Sequence, residues 1–365
     1  MTNRAYPAIY YAGFDPGSGV ATLWLSSAET QETRSLSIPS FIAYGDAAGL
    51  LDIRSKVSDM TLAQVLRENE HVINWKQQDY YAGILAVKDG ENETNALGDS
   101  ARYWSLHSQV LLLALASALI PEMDAELRLV TALPVSLYEK ENRRNVKRGL
   151  EGYYRFTANG RERELVIKVG AVVMEGQGVM VHHSEQGREA QAVIDIGERT
   201  TDLVAIDADN SPLMRYCRGK AFGVGQVIDE ITEAIRKTYG RKVPSNVAHN
   251  VLRAYANNDP LPAIKVGKSD IPTDHIESVI ERAINNTGQS IVTFISSAWN
   301  SDGARVGSDF EAIYVAGGGA YYFTDIIRAI LPEAEMVEEP EHANVMGYHD
   351  LALGLEDIKS TIWER

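Results

Sequence analysis

Three short segments of the chain combine acidic, hydroxyl and glycine residues in an order suited to holding a polyphosphate. The first is Asp15-Pro16-Gly17-Ser18-Gly19, which follows the apolar run Ile9–Phe14 and precedes a second one, Val20–Leu25. Its glycines let the backbone turn sharply and bring amide N–H groups close to a ligand, and Ser18 adds a hydroxyl. Asp15 repels a phosphate but can hold a magnesium ion through water. The second segment, Asp195-Ile196-Gly197-Glu198-Arg199-Thr200-Thr201-Asp202, repeats the plan. Asp195 ends the apolar run Ala192–Ile194, Gly197 opens the backbone, Thr200 and Thr201 supply hydroxyls, and Leu203–Ile206 follows. The third segment, Tyr314-Val315-Ala316-Gly317-Gly318-Gly319-Ala320, runs a strand into three glycines and then a helix. Such a junction lets a flat group, or a phosphate at a helix N-terminus, approach the backbone.

Taken singly, each segment fits an ordinary hairpin or strand-to-helix turn. The two aspartates, however, lie 180 positions apart, about half the chain. Two such turns at matching points of two related halves, facing each other across a cleft, would grip a polyphosphate from both sides.

The elements that must position these segments alternate between strands and helices, which predicts an α/β protein with two similar sheets. Between the two aspartate turns, residues 27–95 read as a small, irregular inserted subdomain. A largely buried helix is expected over Leu97–Ile120, a strand over Leu127–Leu133 stopped by Pro134, and a charged helix over Tyr138–Leu150. Tyr153–Thr157 and Glu164–Val169 bracket Asn159-Gly160, a strong hairpin signal, and Ala171–Met174 is expected as a further strand. In the second half a strand is expected near Leu213–Cys217. Val224, Val227, Ile228, Ile231 and Ile235 recur at three and four, predicting an amphipathic helix over Val224–Lys237. A second insertion begins near residue 239. Apolar spacing marks a long helix from Ile276 to Ile295, a helix over Phe323–Ile330, and a terminal helix carried by Leu351, Leu355, Ile358 and Ile362.

In this order, the three segments resemble the first phosphate loop, second phosphate loop and adenosine loop of the actin, heat-shock chaperone and sugar-kinase superfamily. Thr131-Ala132-Leu133-Pro134-Val135-Ser136 and the helix after it resemble the Gly-Leu-Pro-Val segment of the ParM (StbA) plasmid-partitioning actins. Phe222-Gly223-Val224-Gly225 resembles their Leu-Gly-Val turn. Met346-Gly347-Tyr348-His349-Asp350-Leu351 resembles the second connecting segment, where the chain returns to the first domain.

The resemblance implies a two-domain actin-like fold, a duplicated ribonuclease H-like α/β unit with a nucleotide cleft between the halves. Domain I would span residues 1–190 and domain II residues 191–345, with an insertion at about 239–295, and residues 346–365 would return to domain I. It implies a filament-forming ATPase that uses Mg2+ and ATP, or GTP, and drives plasmid or DNA segregation. The partners would be further copies of the chain and a DNA-bound adaptor protein. A small-molecule kinase or a non-polymerising regulatory ATPase of the same superfamily is the alternative. Carried over by position, Asp15 and Asp195 would hold magnesium. Gly17, Ser18, Gly19, Gly197, Thr200, Thr201, Gly223 and Gly225 would lie at the phosphates, and Gly317, Gly318 and Gly319 beside base and sugar. Glu175 would position the attacking water, with Gln177 as the competing residue, and Asp195 would share in catalysis. Two positions depart from the pattern. Thr22 stands where many relatives carry a lysine, and Glu198 where chaperones carry a glycine.

Composition narrows the function classes. The 365 residues, 45% apolar and 23% charged, suit a globular chain of two or three domains. A net charge of −15 repels phosphate backbones, so direct nucleic-acid binding over the surface is not expected. The single cysteine, Cys217, excludes a disulfide framework and a cysteine-based zinc site. Met1–Ala8 lacks a signal-peptide pattern, and the longest apolar stretch, Val110–Ile120, falls well short of the ~20 residues that span a bilayer. A cytoplasmic protein with no membrane partner is expected. Neither a Rossmann fingerprint nor a Gly-x4-Gly-Lys-Ser/Thr loop is present.

Overall fold

A computed structural model describes residues 7–55, 59–94, 96, 99–183, 189–241, 243–266, 269–300 and 305–357. The chain divides into two compact units, one drawn from Met1–His182 and Asn344–Arg365, the other from His183–Ala343.

The first unit begins with the antiparallel hairpin of β1 (Ala8–Asp15) and β2 (Val20–Ser27), extended by β3 (Thr33–Pro39). There follow β4 (Ile42–Tyr44), α1 (Ala47–Arg54), α2 (Leu62–Val65), β5 (Glu70–Trp75), β6 (Gln78–Gly83), α3 (Ile84–Asp89) and β7 (Glu91–Thr94). Then come α4 (Leu106–Leu119), β8 (Asp124–Leu133), α5 (Lys140–Leu150), β9 (Gly152–Ala158), β10 (Arg161–Met174) and α6 (Gln177–His183). All ten strands join one sheet, in the order β3-β2-β1-β8-β10-β9-β5-β6-β4-β7, so the segment around residues 27–95 is continuous with the main sheet. It nevertheless has a small core of its own, in which Leu50, Val72, Tyr81 and Leu85 pack together. Strands β1, β8 and β10 run parallel at the centre. Helix α4 packs against β2, β3, β5 and β6 and is apolar nearly all round, with Val110–Ala116 buried without interruption, as a helix enclosed on every side requires.

Several local expectations need correction. The helix expected from Leu97 to Ile120 breaks into a 3-10 turn, Ser100–Tyr103, and then α4, because Ser105 takes an extended backbone as the cap; Leu97 lies outside the described residues. Glu164–Val169 and Ala171–Met174 form one strand, β10, with a register shift between Val169 and Ala171. Asn159 and Gly160 close the β9–β10 hairpin, both left-handed (φ 52° and 80°), as the Asn-Gly pair predicts.

The second unit contains β11 (Ala190–Ile196), β12 (Thr201–Asp207), β13 (Arg218–Lys220), α7 (Val224–Tyr239), α8 (Ser245–Ala256), β14 (Lys265–Val266), β15 (Ser269–Asp270), α9 (Thr273–Trp299), β16 (Ala312–Ala316), α10 (Ala320–Arg328) and β17 (Ala334–Met336). Its main sheet has the order β13-β12-β11-β16-β17. Two antiparallel strands precede a parallel trio there, which repeats β3-β2-β1-β8-β10 of the first unit. Helices α7, α8 and α9 share one core with that sheet. Leu213–Cys217 forms a turn, not the expected strand. The Tyr216 carbonyl accepts the Trp299 indole N–H at 3.0 Å, and the Tyr216 ring meets Phe310 edge-on at 5.0 Å.

The chain returns to the first unit as α11 (Ala343–Asp357); Ile358 and Ile362, expected to continue it, lie outside the described residues, as do Met1–Tyr6. Helices α6 and α11 cross at Gly178 and Gly347, where backbone meets backbone: a Cβ on Gly178 would strike the Asn344 carbonyl. Ser26 Oγ lies 2.8 Å from His349 Nε2, and His182 Nδ1 lies 2.6 Å from Asp350 Oδ2, tying α11 to β2 and α6.

This crossing predicts a contrast between two helical glycines. Gly178→Val should cost about 1–3 kcal/mol through overpacking. Gly354→Ala, whose Cβ would meet nothing within 4 Å, should be neutral or stabilising by about 0.5–1 kcal/mol. Urea unfolding midpoints check both.

Candidate functional site

Asp15 is the last residue of β1, half-buried and paired across the hairpin with Thr22. Residues 16–19 reverse the chain. Gly17 is required there, because a Cβ would lie 2.5 Å from the Val20 carbonyl oxygen. The Gly19 carbonyl accepts the Ser40 N–H at 3.0 Å. Thr22, at the position where relatives carry a lysine, is buried and bonded to Ser37 Oγ at 2.9 Å.

The turn is gripped by Arg102, which sequence reasoning missed. Only 3% exposed, its guanidinium donates to the carbonyls of Pro16 (3.1 Å) and Gly17 (3.0 Å) and to the hydroxyls of Ser18 (2.8 Å) and Ser40 (3.0 Å). Burial lowers its pKa from the ordinary value; Tyr103, Glu175 and Asp15 oppose that shift, which places both carboxylates in its field. Ser40 Oγ also lies 3.3 Å from His107 Nε2, and burial together with Arg102 pushes His107 down to about 3, so that ring is neutral. Glu175 follows β10, half-buried, with its N–H donating to the Leu133 carbonyl at 2.9 Å. The next amide, Gly176, donates to Asn344 Oδ1 at 2.8 Å. Gln177 acts locally, since its Oε1 accepts the Met174 N–H at 2.8 Å and closes the turn. The first unit therefore groups Asp15, Ser18, Arg102 and Glu175, with Gln177 facing its own turn.

In the second unit, Asp195 sits near the end of β11, 7% exposed, directly paired with Asp202 on one side and Ala316 on the other. Asp202, 1% exposed, was not among the expected site residues, although a four-residue turn in register predicts a cross-strand neighbour for Asp195. Gly197 donates its N–H to the Thr200 carbonyl at 2.9 Å, closing the turn. Thr200 remains half-exposed, whereas Thr201 is fully buried and its hydroxyl donates to the Phe222 carbonyl at 2.9 Å. Gly223 and Gly225 brace the turn. The Val224 N–H donates to the Gly197 carbonyl (3.1 Å) and the Gly225 N–H to the Glu198 carbonyl (2.8 Å). A Cβ on Gly223 would strike the Gly197 carbonyl, so helix α7 can begin there only with glycine.

The three glycines after β16 lie directly on the end of β11. Gly319 donates its N–H to the Ile196 carbonyl and Gly317 to the Pro340 carbonyl, each at 2.8 Å. Gly317 has φ +77°, and a Cβ on it would meet Asp195 Oδ1 at 2.6 Å. Gly318 differs: a Cβ there would have nothing within 4 Å. Nearby, Tyr322 on α10 is pushed above its ordinary pKa by burial and lies in the fields of Arg253 and Glu198. His249, one turn before Arg253 on α8, has Nε2 3.4 Å from Glu198 Oε1. Glu198 thus lies by His249 and, like Arg253, in the field of Tyr322, and none of these but Glu198 drew notice in the sequence.

Among the described residues no three His, Cys, Asp or Glu side chains converge to hold a metal. Two cavities of about 560 and 570 Å3, one in each unit, include none of the expected phosphate-binding residues.

A duplicated sheet with an aspartate-ended hairpin turn in each copy defines the class: this is the actin-like fold. The family models divide at the same place. Residues 13–178 match the model described as "Actin like proteins N terminal domain", and residues 193–329 match "Archaeal actin homologue MreB-like, C-terminal". The chain belongs to the actin-like proteins. Among solved structures, it is similar to the archaeal actin homolog Ta0583, with 19% identity over 95% of this chain and 99% of that one and a TM-score of 0.73. A 15-stranded ParM filament from Clostridium botulinum gives 17% identity, 96% and 100% coverage and a TM-score of 0.70. Bacillus thuringiensis ParM with AMPPNP gives 16% identity, 95% and 99% coverage and 0.66. No curated protein matches the chain. Among the described residues no helix is long and apolar enough to cross a membrane.

The open space at Gly318 separates a folding effect from a binding effect. Gly318→Val should leave circular dichroism unchanged and abolish measurable nucleotide affinity, because the added side chain enters that space. Gly319→Val should instead unfold the second unit, since its Cβ would collide with Ile196. A Gly318→Val protein that binds nucleotide normally would show that the open space at Gly318 takes no part in binding.

Proposed function

We propose that the protein is a nucleoside triphosphatase of the actin type that polymerises with Mg-ATP, or Mg-GTP, to move plasmid or similar DNA cargo. The observation that carries this reading is the matched pair of turns, each an aspartate at a buried strand end followed by a glycine-opened reversal. The comparisons support it, since similar structures include an archaeal actin homolog in complex with ADP and a ParM filament.

Asp15 and Asp195 would hold magnesium through water, and the amides of both turns would receive the phosphates. When bound, the metal neutralises the phosphate charge and polarises the bond that breaks. Glu175 accepts a hydrogen bond from the attacking water and orients it toward the terminal phosphate. Gly317–Gly319 receive the sugar and base, with Tyr322 and Arg253 beside them. A surface of net charge −15 reaches DNA through an adaptor protein. Further copies of the chain are its main partner.

Sedimentation and negative-stain microscopy with Mg-ATP, Mg-GTP and no nucleotide test assembly. Filaments should need both metal and triphosphate, and equal polymer in chelator without nucleotide would contradict the reading. Glu175→Ala should slow phosphate release about 10²–10⁴-fold while sparing assembly, as expected of a group that acts mainly in the transition state. Asp195→Ala should weaken Mg-nucleotide binding itself. Unchanged phosphate release per polymerised subunit in Glu175→Ala would reduce Glu175 to a turn carboxylate.

A further inference from the structure

We infer that Arg102 is the positioning residue of the first phosphate turn: from behind the turn it sets the amides of Gly17 and Ser18 to receive a polyphosphate. The inference rests on the nucleotide reading above and deepens it. A trans peptide is planar, and its C=O and N–H point in opposite directions. Arg102 holds the carbonyls of Pro16 and Gly17 on its own side, at 3.1 and 3.0 Å. The N–H groups of the same two peptides, which belong to Gly17 and Ser18, are thereby directed to the opposite side of the turn. With the Ser18 hydroxyl fixed by the same guanidinium at 2.8 Å, the turn becomes a preorganised set of donors.

The charge of Arg102 points the same way. A buried cation is costly unless compensated, and these hydrogen-bond partners are all neutral, two carbonyls and two hydroxyls. Its Nε is buried with no acceptor. Asp15 and Glu175 lie in its field, but under the proposed function Asp15 serves the metal and Glu175 the attacking water. An arriving polyphosphate adds further negative charge on the far side of the turn. A lysine cannot reproduce this arrangement, because Nη2 reaches both carbonyls and Ser40 while Nη1 reaches Ser18, and one ammonium cannot occupy both positions.

The test measures affinities for ATP, ADP and adenosine in magnesium, by competition with a fluorescent nucleotide, on the full-length protein and on Arg102→Met and Arg102→Lys. Melting curves without nucleotide verify folding. Both variants should lose about tenfold or more in ATP and ADP affinity, the worth of one charge-assisted hydrogen bond, and keep adenosine affinity within about twofold. Should Arg102→Met fail to fold, Arg102→Lys carries the test alone. Wild-type ATP affinity in a folded Arg102→Lys protein overturns the assignment, as does an equal loss for adenosine and ATP, which marks a general structural prop. If the unsubstituted protein binds none of the three ligands, the nucleotide reading itself fails and the assignment falls with it.

Discussion

The candidate site depends on how the carbonyls of two short turns are tied down. A peptide whose C=O is bound on one side presents its N–H on the other, so whatever grips a turn from behind decides which donors it offers in front. In the first unit the grip is the Arg102 guanidinium on Pro16 and Gly17. In the second it is the first turn of α7, whose Val224 and Gly225 amides bind the Gly197 and Glu198 carbonyls. The duplicated sheet places the two turns at equivalent strand ends, yet a side chain performs in one copy what a helix N-terminus performs in the other. The glycines at 17, 223 and 225 serve close backbone approach in both cases.

Charge then sets what the turns can hold. Asp15 ends β1, and Asp195 faces Asp202 across the second hairpin, so each turn carries carboxylate at its base. Under the proposed function, a phosphate chain approaching these groups meets repulsion that a divalent cation offsets. With Thr22 buried against Ser37, no lysine stands on β2 to share that load. Arg102 supplies positive charge to the first turn from a neighbouring segment instead.

Much of this was legible in the sequence. The two aspartate turns, the glycine run at 317–319 and the alternation of strands and helices are local patterns, fixed by residue type and spacing within a few positions. Arg102 was not legible. It lies 87 residues beyond Asp15, in a 3-10 turn that ordinary periodicity hid inside an expected helix, and its role exists only once the chain folds back on the turn. Thr201 and Gln177 went the other way. Both have side chains suited to a ligand, but tertiary structure employs them locally, Thr201 on the Phe222 carbonyl and Gln177 on the Met174 amide. His249 and Arg253 sit on α8, in a region where the sequence suggested only an insertion; His249 pairs with Glu198 and Arg253 lies in the field of Tyr322, relations that no spacing rule reveals.

The central claim of the proposed function is that the protein binds a nucleoside triphosphate with the help of a divalent ion. Calorimetric titration of the protein with ATP, in magnesium and again in chelator, tests it most directly. The account predicts one binding event per chain in magnesium and a loss of about 10²-fold or more without it, several kilocalories of metal-dependent charge compensation. Equal affinity in magnesium and in chelator would contradict it.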